Sequence, residues 1–91
     1  MRLQWTSKAL DDLARLHAFL YPRNSEAAAK TVQALTRASA RLSQYPRLGE
    51  RLNQFPAHEV RRIIVGSYEM RYEIRDGIIY IARLWHTRES R

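Results

Sequence analysis

Tyr68 to Arg75 alternates without a break: Tyr68, Met70, Tyr72 and Ile74 fall on one side, and Glu69, Arg71, Glu73 and Arg75 on the other. A period of two marks a half-buried strand, because successive side chains point to opposite faces of a sheet. Asp76-Gly77 follows at once, and then a second apolar run from Ile78 to His86. Asp-Gly tolerates the two positive φ angles of a type I′ turn, so this stretch predicts a two-residue hairpin. A loop that short sets the register. It pairs Arg75 with Ile78, Ile74 with Ile79, Tyr72 with Ile81, Met70 with Arg83 and Tyr68 with Trp85. The other face then holds Glu69, Arg71, Glu73 and Arg75 together with Ile78, Tyr80, Ala82, Leu84 and His86.

The rest of the chain supplies what covers the apolar side. Val60 to Val65 is rich in β-branched residues and reads as a strand, and Gly66-Ser67 suits a type II′ turn that sets Val65 against Tyr68 and Arg62 against Arg71. Arg2 to Trp5 reads as a short strand. Thr6 and Ser7 offer cap oxygens to a helix from Lys8 to Tyr21, whose broad apolar face carries Leu10, Leu13, Leu16, His17, Leu20 and Tyr21. Lys8, Asp11, Asp12 and Arg15 fall opposite, and Phe19 sits among the polar positions as an isolated exposed ring or a partner contact. Pro22 to Asn24 breaks the pattern, and a second helix runs from about Glu26 to Gln44 with Ala28, Thr31, Val32, Leu35, Ala38 and Leu42 inward. Tyr45 to Gly49 ends it, and Asn53 to His58 reads as loop. The expected fold is α+β over residues 1–91: a short N-terminal strand, an antiparallel helix hairpin and a three-stranded antiparallel meander, with the helices on one face of the sheet.

A chain of 91 residues is one domain with a thin core, which a partner covering apolar surface would help. Sixteen Lys and Arg against nine Asp and Glu give +7, a balance that favours a polyanion or an acidic partner protein and leaves open which. There is no cysteine, hence neither disulfide framework nor thiolate metal site, which is consistent with the cytoplasm. His17, His58 and His86 lack metal-ligand spacing, so no metal or other cofactor is expected. No apolar run approaches a membrane span, and Asp11, Asp12 and Arg15 interrupt any signal-like segment.

The open sheet face is the informative surface. It mixes charges with Ile64, Ile78, Tyr80 and Leu84, and apolar surface rimmed by charge commonly marks a binding face. Arg62 opposite Arg71 is a like-charge pair, neutralised either by Glu69 and Glu73 or by an external anion. The register puts Arg62, Arg71, Tyr80 and His86 together on this face. For His86 a structural role beside Trp85, hydrogen-bonding the backbone at the strand end, or a binding role weighs more than chemistry. Arg83 falls on the helix side, where it snorkels or pairs with Asp11 or Asp12.

The order of elements resembles the RelE/ParE toxin superfamily, and three stretches carry the likeness across nearly the whole chain. The opening has Trp5-Thr6 ahead of a helix with Ala9, Asp12 and Leu13; the connector has Leu42, Pro46 and Gly49; and the C-terminal half has Arg61 or Arg62, Tyr68, Tyr72, Ile81, His86 and Arg88. The resemblance is closest to ParE. It implies a toxin neutralised by a cognate antitoxin. ParE-like members are described as poisoning DNA gyrase, and RelE-like members as cutting mRNA in the ribosomal A site. The sequence departs from RelE in having only Lys8 and Lys30 as lysines, both in the helical half, and no Tyr after His86. That favours gyrase and leaves no catalytic set expected; under the RelE alternative the set is Arg62, Arg71, Tyr80 and His86. A third reading is a basic nucleic-acid-binding or inactive module. Target contacts are expected at Arg83, His86, Arg88 and Arg91, and antitoxin contacts at Phe19, Ile64, Arg71, Ile78, Tyr80 and Leu84.

Overall fold

Strand β1 (Arg2–Trp5) leads into helices α1 (Ser7–Leu20) and α2 (Ser25–Gln44), then strands β2 (Glu50–Arg51), β3 (Glu59–Val65), β4 (Tyr68–Arg75) and β5 (Ile78–His86), in a computed structural model that describes residues 1–89. The strands form one sheet in the order β1-β5-β4-β3-β2, antiparallel except for β1 beside β5. The helix hairpin covers one face. Asp76 and Gly77 both have positive φ, at 53° and 75°, as a type I′ turn requires. Gly66 is also positive at 61°, and Ser67 is not, as in type II′.

Both helices start on side-chain caps, Thr6 as expected for the first. The Thr6 hydroxyl accepts from Ala9 N–H at 3.1 Å, and Asn24 Oδ1 accepts from Ala27 N–H at 3.0 Å. The core between layers contains Leu16, Leu35, Leu42, Met70, Tyr72, Ile79, Ile81 and Leu84, with Leu3, Trp5 and Leu13 packed against it. The face of α1 is rotated from the expected one: Ala9, Asp12 and Leu16 are buried, while Leu10 and Tyr21 are more than half exposed. Apolar periodicity puts Asp12 in water; the fold buries it because its carboxylate finds donors on β5, described below.

The two-residue strand β2 lies between the Tyr45 to Gly49 stretch that ends α2 and the loop expected from Asn53 to His58. It forms because Gly49 is held from both sides: its N–H donates to Tyr72 Oη at 2.9 Å and its carbonyl accepts from Arg61 Nη1 at 2.7 Å. The Tyr72 hydroxyl in turn donates to the Pro46 carbonyl at 2.7 Å. This gives Pro46, Gly49 and Tyr72 one physical explanation. Burial raises the Tyr72 phenol pKa, against a smaller lowering by the Gly49 N–H. Tyr72→Phe leaves the buried Gly49 donor without its acceptor, so we expect a loss of about 1–2 kcal/mol in urea unfolding. A loss near zero would mean that the connector relaxes without the hydroxyl.

Candidate functional site

The register of β4 and β5 is regular from the turn up to Tyr72 opposite Ile81, as expected, and then slips. Arg71 lies opposite Arg83, Met70 opposite Leu84, Glu69 opposite Trp85 and Tyr68 opposite His86. Ala82 is the extra residue of a β-bulge, which turns every later side chain of β5 to the other face. Leu84 therefore lies in the core, fully buried, and not on the open face as expected. His86 moves to the helix side, its ring edge-on to Tyr68 with centroids 5.3 Å apart. Arg83 and Trp85 move to the open face, beside Arg71 and Glu69.

The bulge is pinned by the start of α1. Thr6 N–H donates to the Ile81 carbonyl at 3.0 Å, and the Thr6 hydroxyl donates to the Ala82 carbonyl at 3.1 Å. Beyond the end of β1, the Asp12 carboxylate takes the place of a neighbouring strand and accepts from Leu84 N–H at 2.9 Å. Arg83 Nε reaches the same oxygen at 2.8 Å, so the expected pairing with a helix carboxylate is made, by Asp12, from a residue rooted on the other face. Burial pushes the Asp12 carboxyl pKa up. The Arg83 hydrogen bond, the Leu84 N–H and the charges of Arg83 and Arg15 outweigh it, and the net pKa lies below the ordinary value of 3.8. A signal for the slip exists in the sequence: strict alternation places Arg83 in an otherwise apolar set, and one extra residue replaces it with Leu84.

On the open face, Arg62, Arg71 and Arg83 form one row. The like charges are met from inside the molecule. Glu69, fully buried, lies 3.4 Å from Arg62 Nη1 and 3.3 Å from Arg71 Nη2, while Glu50 is 3.3 Å from Arg62 Nε. Glu73, the other expected neutraliser, contacts His58 Nδ1 at 2.9 Å instead. The Arg71 guanidinium lies 4.9 Å from the Trp85 ring and 5.8 Å from that of Phe55, and Arg75 lies 4.7 Å from Tyr80. Arg62, Arg71 and Tyr80 thus share the open face, and His86 does not join them. The set of four expected for a ribonuclease is split by the bulge.

The expected partner contacts are likewise spread over several surfaces. Ile64 is exposed and lines a groove of about 410 Å³ with Ala38, Arg41 and Leu48. Arg71, Ile78 and Tyr80 are half-buried on the open face. Phe19, 59% exposed, sits under the Arg23 guanidinium at 4.1 Å and lines a larger groove of about 640 Å³. Leu16, Leu20, Tyr68 and His86 make its apolar walls, and Arg15, Arg88 and Glu89 its rim. This groove brings His86 and Arg88 together with Phe19, which neither periodicity nor hairpin register foresaw. Arg88 is exposed, Arg83 is paired, and Arg91 lies outside the described residues. Among the described residues, no cluster of His, Asp or Glu could hold a metal ion, and no helix is long and apolar enough to cross a membrane.

Residues 3–91 match the family model of the ParE toxin of the type II toxin–antitoxin system, parDE. The chain is 32% identical over 82 residues to Toxin RelE2 of Caulobacter vibrioides, covering 90% of each protein. A chain of the solved chromosomal ParDE TA system from P. aeruginosa superimposes with a TM-score of 0.80 at 24% identity, over 94% of this chain and 95% of that one.

Proposed function

The chain belongs to the ParE toxin family of type II toxin–antitoxin systems, and from that premise we propose that it acts by inhibiting DNA gyrase and is neutralised by a cognate ParD-like antitoxin. The observation that carries the choice of target is the bulge at Ala82. Metal-free cleavage of RNA needs a base, cations and an acid within reach of one phosphate. His86 is on the helix side of the sheet, and Arg62 and Arg71 on the other side both contact Glu69. Inhibition by binding needs no such convergence; it needs an exposed surface of suitable chemistry, and the end of the molecule carrying His86 and Arg88 offers one.

The antitoxin reading is supported by charge and shape. A chain of +7 attracts an acidic partner and speeds its association. The groove walled by Leu16, Phe19, Leu20 and Tyr68 suits an apolar segment that orders on binding.

The test is a gyrase supercoiling and cleavage assay run beside mRNA on translating ribosomes. We expect lost supercoiling or trapped cleaved DNA, with intact mRNA. Reversing the charge of Arg88 and Arg91 together should weaken inhibition by roughly tenfold, as for charges at a binding rim. Cleaved mRNA with gyrase untouched overturns the reading in favour of a RelE-type ribonuclease.

A further inference from the structure

Four charged side chains form an unbroken ladder from β5 across α1 to the end of the described chain. Arg83 Nε is 2.8 Å from Asp12 Oδ2, Asp12 Oδ1 is 3.7 Å from Arg15 Nη2, and Arg15 Nη1 is 3.1 Å from Glu89 Oε1. The same Glu89 oxygen accepts from His86 N–H at 3.2 Å, so the carboxylate closes the turn that follows β5. The turn is also tied elsewhere: Thr87 N–H donates to the Ser67 carbonyl at 2.9 Å, and Arg88 N–H donates to His86 Nδ1 at 3.1 Å. Residues 87–89 are thereby folded back against α1 and the β3–β4 turn.

We propose that Arg15 is a positioning residue: by bridging Asp12 and Glu89 it fixes the turn from which Arg88 projects, and so sets how strongly the tail engages its target. The proposal rests on the reading that the basic tail makes the target contact. Arg15 and Glu89 side chains are 49% and 33% exposed, and ion pairs so open to water contribute little to global stability. Holding a terminal turn in its bound shape is a different matter. A tail ordered in advance avoids the conformational cost of being ordered on binding. The ladder is therefore expected to act on potency and to leave the melting temperature nearly alone.

The experiment is a double-mutant cycle with R15A, E89A and the double variant, with R15K as the conservative control. Three readouts are taken on the antitoxin-free protein: gyrase inhibition, growth arrest on induction, and hydrogen exchange at the amides of His86, Thr87 and Arg88. Each single variant should lose about two- to fivefold in potency, the scale an exposed pair permits, and the double variant no more than either. Exchange at the three amides should quicken in all of them, with Tm within about 2 °C of the parent, and R15K should recover most of the lost potency. Additive losses would mean that Arg15 and Glu89 touch the target separately, and unchanged exchange would mean that they do not hold the turn; either overturns the proposal. If the parent chain leaves gyrase untouched, the gyrase reading fails by itself, and growth arrest with amide exchange still decides the role of Arg15.

Discussion

Replacing Asp12 by Ala lowers the unfolding free energy by about 3 kcal/mol, a fall in Tm on the order of 15 °C for a domain of this size. The loss has two sources. Leu84 N–H lies where β1 no longer continues the sheet, so without the carboxylate it is a buried donor with no acceptor, which costs about 1–3 kcal/mol. The Arg83 pair adds less, because that side chain is 44% exposed and water screens it. Asp12→Asn keeps an acceptor of the same shape and removes the charge, so its loss should be about half as large. Equilibrium urea unfolding of the two variants reads both numbers. A loss under about 1 kcal/mol for Asp12→Ala would mean that the β5 edge is satisfied without α1.

The same carboxylate gives stability a pH dependence of defined sign. The folded-state pKa of Asp12 is depressed, so the folded protein binds its proton less readily than the unfolded chain does. Its contribution is present above the unfolded value and disappears as pH falls through the folded one. Glu59 and Glu89 act in the same direction. Burial raises each pKa and is outweighed, for Glu59 by hydrogen bonds from Arg47 and Arg61, and for Glu89 by those from Arg15 and His86 N–H. Stability should therefore decline from about pH 5 downward, and the gap between parent and Asp12→Asn should narrow along the way. A gap that stays constant to pH 3 would count against a charged, hydrogen-bonded Asp12.

Gly49→Ala should cost about 2–3 kcal/mol, in the range of overpacked sites. A Cβ there meets the Arg62 carbonyl oxygen at 2.6 Å, Tyr72 Oη at 2.8 Å and Tyr72 Cε1 at 2.9 Å. The nearest obstacle is backbone, so the strand pair has to part. Adding Tyr72→Phe removes only the hydroxyl and should not rescue the variant. Gly66→Ala is the contrast: open space surrounds its Cβ, and only the positive φ of 61° opposes it, for a cost of about 1 kcal/mol. Equal losses for the two glycines, measured by thermal unfolding, would show that β2 yields to a methyl group.

Most of the fold is legible in the sequence because local chemistry and global packing agree. Asp76-Gly77 and Gly66-Ser67 dictate their turns through backbone sterics alone, and Thr6 and Asn24 cap the helices with oxygens that need only short-range geometry. The apolar stripe on α2 and the alternation of β4 follow from helical and strand periods, and both face inward as expected. Strict alternation puts Arg83 on the covered side and asks for a helix counter-charge; the pair with Asp12 is made, but from the open face, so the partner is right and the side is not.

What the tertiary structure decided comes down to one inserted residue, at which the sequence only hints through Arg83 in an otherwise apolar set. Sequence periodicity assumes an unbroken ladder, and the ladder breaks at Ala82 because Thr6 and Asp12, more than seventy residues away in the chain, hold two carbonyls and an N–H of β5 in the bulged shape. Nothing local to β5 demands that. The bulge sends Leu84 to the core, sets His86 against Tyr68 and leaves Arg62 and Arg71 with Glu69. It thereby separates His86 from Arg62, Arg71 and Tyr80, which strict alternation puts on one face and which the RelE alternative would need together. Burial of Asp12 has the same origin: a carboxylate on a helix reads as solvated until the donors that satisfy it arrive from another strand.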